Sequence, residues 1–178
     1  MTAPQTAAAT PAAATPAAVS AVVSVHSGHQ LAQVNVGRTV APLDSPELAG
    51  FMAQLAEINE LAECSPGFVW RLVDAEGADA TGLRPDPDDG LLQINCSVWE
   101  SVEALRAYVY RSDHLRVLAR RREWFRRPTE AHQAMWWVPA GHRPSVAEAM
   151  ARIALIRDQG PGPEAFTFRE PHPAPDAR

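Results

Sequence analysis

The chain has 178 residues, 16 of them basic and 21 acidic, with a formal net charge of −5. That length holds one domain with a proper core and barely two, and the charge gives no general reason to expect nucleic acid as a partner. All sixteen basic residues are arginine, which excludes Schiff-base chemistry on a lysine; two cysteines, Cys64 and Cys96, are too few and too scattered for a disulfide framework or a cysteine metal site.

Residues 1–27 are alanine, threonine and proline with almost no charge. Little there repays the entropy of ordering, so a disordered tail is expected. No Lys or Arg precedes Arg38, which fits neither a secretory signal nor an arginine-rich transit peptide. No stretch approaches the ~20 apolar residues of a membrane span. The expectation is a cytoplasmic protein without membrane or nucleic-acid partners.

From Leu31 to Val36 the side chains alternate, with Ala32, Val34 and Val36 on one face and Leu31, Gln33 and Asn35 on the other. Asp44-Ser45-Pro46-Glu47 reads as a helix start, with Ser45 as N-cap and Pro46 at the first helical position. Leu48, Phe51, Met52, Leu55, Ile58 and Ala62 then recur at helical spacing, and Ser65-Pro66-Gly67 ends the helix. Phe68–Val73 is a short strand rich in aromatic and branched residues, with Arg71 facing away from Phe68, Trp70 and Leu72. A polar loop follows over 74–90.

Leu91–Val98 repeats the first strand's pattern. Leu92, Ile94, Cys96 and Val98 are apolar; Gln93, Asn95, Ser97 and Trp99 share the other parity. Cys96 sits on the apolar face, where a free thiol behaves as a small hydrophobe. Ser101 can cap the next helix and Ser112 can restart it, with Leu105, Val109, Leu115, Leu118 and Phe125 as its buried side. Arg116, Arg120, Arg121, Arg122, Arg126 and Arg127 read as a solvated basic face. Residues 131–138 form a fourth strand. Ser145-Val146-Ala147-Glu148 is a capping box opening a last helix that stops near Gly160, and the proline-rich end is expected to lie over the surface.

The order strand, helix, strand, strand, helix, strand, then helix predicts an α+β, ferredoxin-like βαββαβ fold over 28–170, with 171–178 a flexible tail. The Leu31 and Leu91 strands are expected to be central, adjacent and parallel. If their apolar faces meet the helices, Gln33, Asn35, Gln93 and Asn95 cluster on a bare face that a second copy seals into a dimeric barrel.

The run Ser97-Val98-Trp99-Glu100-Ser101-Val102-Glu103-Ala104-Leu105, continuing to Tyr110-Arg111-Ser112-Asp113-His114, resembles the dimeric α+β barrel superfamily. That group contains antibiotic-biosynthesis and haem-degrading monooxygenases. Within it the chain resembles an uncharacterised bacterial domain of unknown function, also through Ser65–Leu72, Arg121–Phe125 and Trp136–His142. The resemblance implies a cofactor-independent oxygenase of secondary metabolism, with a strand asparagine, a tryptophan after the third strand and a helix residue at the site. Asn35, Trp99 and the pair Tyr108/His114 stand at comparable places. Haem-degrading relatives carry a histidine ligand about where this chain has Tyr108; His114 is the nearest alternative.

Four amides in an apolar surround must each find partners, since a buried unpaired amide costs about 1–3 kcal/mol. They either hold a polar substrate and a developing oxyanion or bond one another. His114 is a candidate general base and equally a helix-capping histidine. Tyr108 and Tyr110 are two apart on a helix, so at most one should face the pocket. Arg71 either binds a carboxylate or phenolate or sits in solvent. No metal-ligand spacing, phosphate-binding glycine loop, nucleophile elbow or dinucleotide fingerprint occurs, so no cofactor is expected, with haem the one exception the resemblance leaves open. The expected function is a tailoring enzyme, monooxygenase-like or a cyclase/isomerase, acting on an aromatic small molecule. In it His114 or a tyrosine takes a proton, Asn35, Asn95 and Trp99 hold the anion, Arg71 orients the substrate, and Gln33, Gln93 and Tyr110 complete the pocket. The alternative is a non-catalytic dimer that binds a small molecule or haem.

Overall fold

Seven elements follow one another in a computed structural model that describes residues 28–111 and 120–175. They are β1 (His29–Arg38), α1 (Ala49–Glu63), β2 (Phe68–Arg71), β3 (Leu92–Trp99), α2 (Val102–Arg111), β4 (Gln133–Pro139) and α3 (Val146–Gln159). The strands form one sheet in the order β2-β3-β1-β4, with every neighbouring pair antiparallel. This is the ferredoxin-like arrangement with one added helix, an α+β fold.

β1 and β3 are central and adjacent as expected, but antiparallel rather than parallel. The reason is topological. A crossover through α1 sets β2 parallel to β1 but two places away, and β3 turns back antiparallel to β2. The strand slotted between them therefore opposes both.

The expected parity holds, while the expected face for the helices does not. Ala32, Val34, Val36, Ile94, Cys96 and Val98 do form the apolar face, and they pack against Ala149, Ile153 and Ile156 of α3. α1 and α2 lie on the other face, over the amides, where Ala62, Val102 and Leu105 join Leu31, Trp99 and Met135. Period two says which side chains share a face and leaves open which face each helix covers. The right-handed crossover β1-α1-β2 settles that choice. With α3 on the apolar face, both faces of the sheet carry helices.

α1 starts as expected at Ser45 and Pro46, first as a short 3-10 turn over Pro46–Leu48. Of its apolar stripe only Leu48 and Ala62 are buried; Phe51, Leu55 and Ile58 are half-buried and Met52 is exposed. That stripe stands over a hollow instead of a filled core. Gly67 (φ 79°) makes the turn into β2, and a Cβ there would lie 2.6 Å from the Ala104 Cβ. Ser101 caps α2, its Oγ accepting from the Ala104 N–H at 3.1 Å. The Ser112 restart lies outside the described residues.

The C-terminal segment does not merely lie over the surface. Phe166 is fully buried and pairs through its backbone with Met135 at the free edge of β4, and the Trp137 indole donates to the His172 carbonyl at 2.8 Å. This covers a sheet edge that would otherwise be open.

At the start of α3 the Ser145 Oγ accepts from the Glu148 N–H at 3.1 Å, as a cap should. The Glu148 carboxylate does not reach back. It accepts from the Trp136 indole (2.9 Å) and from His142 Nε2 (2.7 Å), tying α3 to β4. Burial pulls its pKa up, but the hydrogen bonds from His142 and Trp136 outweigh that and hold it below the usual 4.5. A depressed carboxyl contributes stability above its unfolded pKa and loses it as the pH falls through the folded value. Glu148→Gln should therefore lower Tm at neutral pH, and the gap to wild type should close below about pH 4.5. A gap that stays constant into acid would show that the charge on Glu148 contributes nothing.

Candidate functional site

Strand register lays out the floor of the hollow in rungs. Gln133, Asn35 and Asn95 are direct neighbours across β4, β1 and β3. The next rung is Met135, Gln33, Ser97 and Arg71, and the one after it Trp137, Leu31, Trp99 and Phe68. On the other side of the amides, Gly37 faces Gln93. The floor thus grades from polar to aromatic along the strands. A β-bulge between Phe68 and Trp70 shifts the parity of β2, so Phe68 and Arg71 share this face while Trp70 packs on the α3 side. Arg71 reaches the hollow through that bulge, where simple alternation had set it opposite Phe68.

The floor, with Phe51, Leu55 and Ile58 of α1 above it and Leu105, Tyr108 and Val109 of α2 beside it, encloses a cavity of about 270 Å³. All the expected pocket residues of the sheet border it: Gln33, Asn35, Arg71, Gln93, Asn95 and Trp99. Tyr108 and Tyr110 both border it, against the expectation that only one would. Tyr108 forms part of the wall; Tyr110, 50% exposed, sits at the rim where Phe168 of the C-terminal segment meets it edge-on. His114 lies outside the described residues.

At the aromatic end Trp99 is fully buried. Phe68 stands edge-on to it at 5.3 Å and Tyr108 stacks on it at 5.0 Å. The indole N–H donates to Ser97 Oγ (2.9 Å), which donates to Gln33 Oε1 (3.2 Å). This relay fixes both the Trp99 ring and the Gln33 amide. The Tyr108 hydroxyl points to the Ile58 carbonyl at 3.4 Å, and burial raises its pKa strongly. Near neutral pH it is a hydrogen-bond donor and no base. The same surroundings suit haem poorly, because a phenolate ligand would have to form where burial opposes the charge and the ring lies flat on Trp99.

The polar rung is chemically open. Among the described residues the Asn35 and Asn95 carboxamides make no hydrogen bond, and Gln93 donates to the Gly90 carbonyl at 3.3 Å while its Oε1 has no partner. Arg71 donates to Glu63 (2.7 Å) and to the Ala78 carbonyl (2.9 Å), so its charge is already shared. On the far face Cys96 is buried; burial and then the nearby Glu148 push its thiol up to about 12, far from a reactive thiolate.

Ser97, Gln133 and Arg121 are among the lining residues that the sequence reading did not single out. Ser97 and Gln133 were available from parity alone, since they alternate in step with Trp99 and Met135. Arg121 was placed among solvated arginines, yet it is half-buried and borders the cavity. Its chain neighbours Arg120 and Arg122 are exposed, and the sequence carries no signal that separates the three.

The model of a family described as a domain of unknown function, DUF3291, matches residues 30–178. No curated protein matches the chain by sequence. Among solved structures the chain is similar to SnoaB, a cofactor-independent oxygenase from Streptomyces nogalater, at 17% identity and a TM-score of 0.41, covering 65% of this chain and 95% of that one. It is similar to NE2512, a protein of unknown function from Nitrosomonas europaea, at 13% identity and 0.40, covering 66% and 96%. It is also similar to a monooxygenase from the gene ActVA-Orf6 of Streptomyces coelicolor, solved with the ligand nanaomycin D, at 18% and 0.36, covering 65% and 93%. At these scores the likenesses carry no argument about activity.

Proposed function

The chain belongs to the DUF3291 family, and we propose that it is a small-molecule enzyme acting on an aromatic metabolite in the cavity, by cofactor-independent oxygenation. Cyclisation or isomerisation of the same substrate anion would use the same groups. The observation that carries this reading is the Asn35–Asn95 pair. Two facing carboxamides with no hydrogen bond among the described residues line a hollow with aromatic walls. Pockets for small molecules combine mostly apolar walls with a few convergent polar groups, and this one does.

Trp99 and Tyr108 form a flat wall for the substrate ring, and the Asn35 and Asn95 amide hydrogens are placed to hold an oxygen that becomes negative as a proton leaves. Arg71 orients the substrate from the next rung. Tyr108 donates rather than accepts, so the proton goes to His114 or Tyr110, of which Tyr110 stands at the cavity rim. The substrate anion then reduces dioxygen: one oxygen atom becomes a ring carbonyl and the other leaves as water.

The test is oxygen uptake by purified protein with anthrone and with dihydroxynaphthalenes, without added metal or flavin. Uptake is expected for at least one of them. Removing one oxyanion donor typically lowers kcat by about 100- to 1,000-fold, so Asn95→Leu should lose turnover by that order while its circular dichroism is unchanged. Unchanged turnover in Asn35→Leu and Asn95→Leu would sink the assignment. Binding with no turnover of any probe would favour the non-catalytic small-molecule carrier.

A further inference from the structure

At one end of the cavity stands a positive charge that no carboxylate among the described residues neutralises. Arg38 pairs with Asp89, Arg71 with Glu63, Arg120 with Glu123 and Arg157 with Glu130. Arg121 borders the cavity, half-buried, and has no carboxylate among the described residues. Its guanidinium lies 5.6 Å over the Phe125 ring, and its Nη2 reaches the Val36 carbonyl only at 3.5 Å. Burial lowers its pKa, the sign of a cation held out of water without compensation.

The place is shaped for this guanidinium. A Cβ on Gly37 would stand 2.9 Å from the Phe125 ring and 3.1 Å from Arg121 Nη2. Only a residue without a side chain lets the arginine and the ring lie down on β1. The next rung along the strand is Gln133, Asn35 and Asn95, whose amide hydrogens add donors beside the charge. A charge held partly out of water is normally paired, and the planar fork of an arginine matches a carboxylate in two-point fashion.

We infer that Arg121 is a specificity-determining residue that binds an oxyanion, a carboxylate or phenolate, on the aromatic ligand of this cavity. The inference rests on the small-molecule reading above and narrows it from aromatic molecules in general to anionic ones. It also moves the anion-reading role from Arg71, which Glu63 already neutralises, to a residue on the segment after α2.

The test uses binding to the whole chain, followed by titration calorimetry, so it does not depend on turnover. The probes are 2-naphthoate, its neutral isostere 2-naphthamide, and 2-naphthol. Wild type should bind naphthoate at least about tenfold more tightly than naphthamide, the difference that about 1.4 kcal/mol makes. In Arg121→Leu that preference should vanish while naphthamide affinity stays within about twofold; Arg121→Lys should keep part of it, having charge without the planar fork. Should Arg121→Leu fold poorly, Arg121→Gln serves the same comparison. Equal binding of naphthoate and naphthamide by wild type, or a preference for naphthoate or naphthol over naphthamide that survives in Arg121→Leu or Arg121→Gln, overturns the inference and leaves the cavity reading standing. If no probe binds wild type at millimolar concentration, both fall together.

Discussion

Replacing Trp99 with alanine should cost about 3–5 kcal/mol of folding stability, the range for emptying a buried tryptophan site. Against the roughly 5–15 kcal/mol that holds a typical domain together, that loss brings the chain close to unfolding. Trp99 is fully buried, lies within the aromatic rung, and touches both Phe68 and Tyr108. Its removal leaves Tyr108 without the surface it stacks on, and the cavity loses the wall that a ligand ring would lie against. Two milder variants separate the causes. Trp99→Phe keeps the ring and drops the N–H, so Ser97 still donates to Gln33. Ser97→Ala keeps the ring and strands a buried indole N–H, which should cost about 1–3 kcal/mol. Urea denaturation of the three variants gives the order: Trp99→Ala lowest, Ser97→Ala and Trp99→Phe well above it. A Trp99→Ala cost under about 1 kcal/mol would mean that this ring is not a fixed wall, and the site model would go with it.

The register of the site was legible because a strand repeats every two residues. Gln33, Asn35, Gln93 and Asn95 could be put on one face from the alternation of Val34, Val36, Ile94 and Cys96 alone. Which layer covered that face could not be read the same way, because α1, α2 and α3 all offer apolar stripes and local period carries no handedness. The stripe of α1 did contain a hint: it is built from large side chains, Phe51, Leu55 and Ile58, that the fold leaves only half-buried. A packed core gives such residues full cover, so their partial exposure is the mark of the hollow beneath them. Arg71 reached the right place for a reason that was invisible, since a bulge changes parity without any glycine or proline to announce it. Arg121 escaped because its environment depends on Gly37, more than eighty positions away in the chain.

Ile153→Asp is the second large effect, and it tests the helix that covers the apolar face of the sheet. Ile153 is fully buried at the centre of the α3 stripe, between Ala149 and Ile156 and against the Val34, Ile94 and Cys96 side of the sheet. Ile153→Ala should cost about 2–5 kcal/mol. An aspartate there adds an ionised group with no counter-charge on an apolar face, so α3 should detach rather than tolerate it. Cys96 reports that event. In wild type it is 1% exposed with a thiol pushed up to about 12, while Cys64 is exposed. Iodoacetamide at pH 8 should therefore add one alkyl group to wild type and two to Ile153→Asp within the same time, read by mass. The uncovered strip of Val34, Ile94, Val98 and Trp136 is the kind of contiguous apolar patch that a second molecule covers, so light scattering should show the variant associating as its concentration rises. Cys96 protected to the wild-type degree in a folded Ile153→Asp protein would mean that α3 does not seal this face.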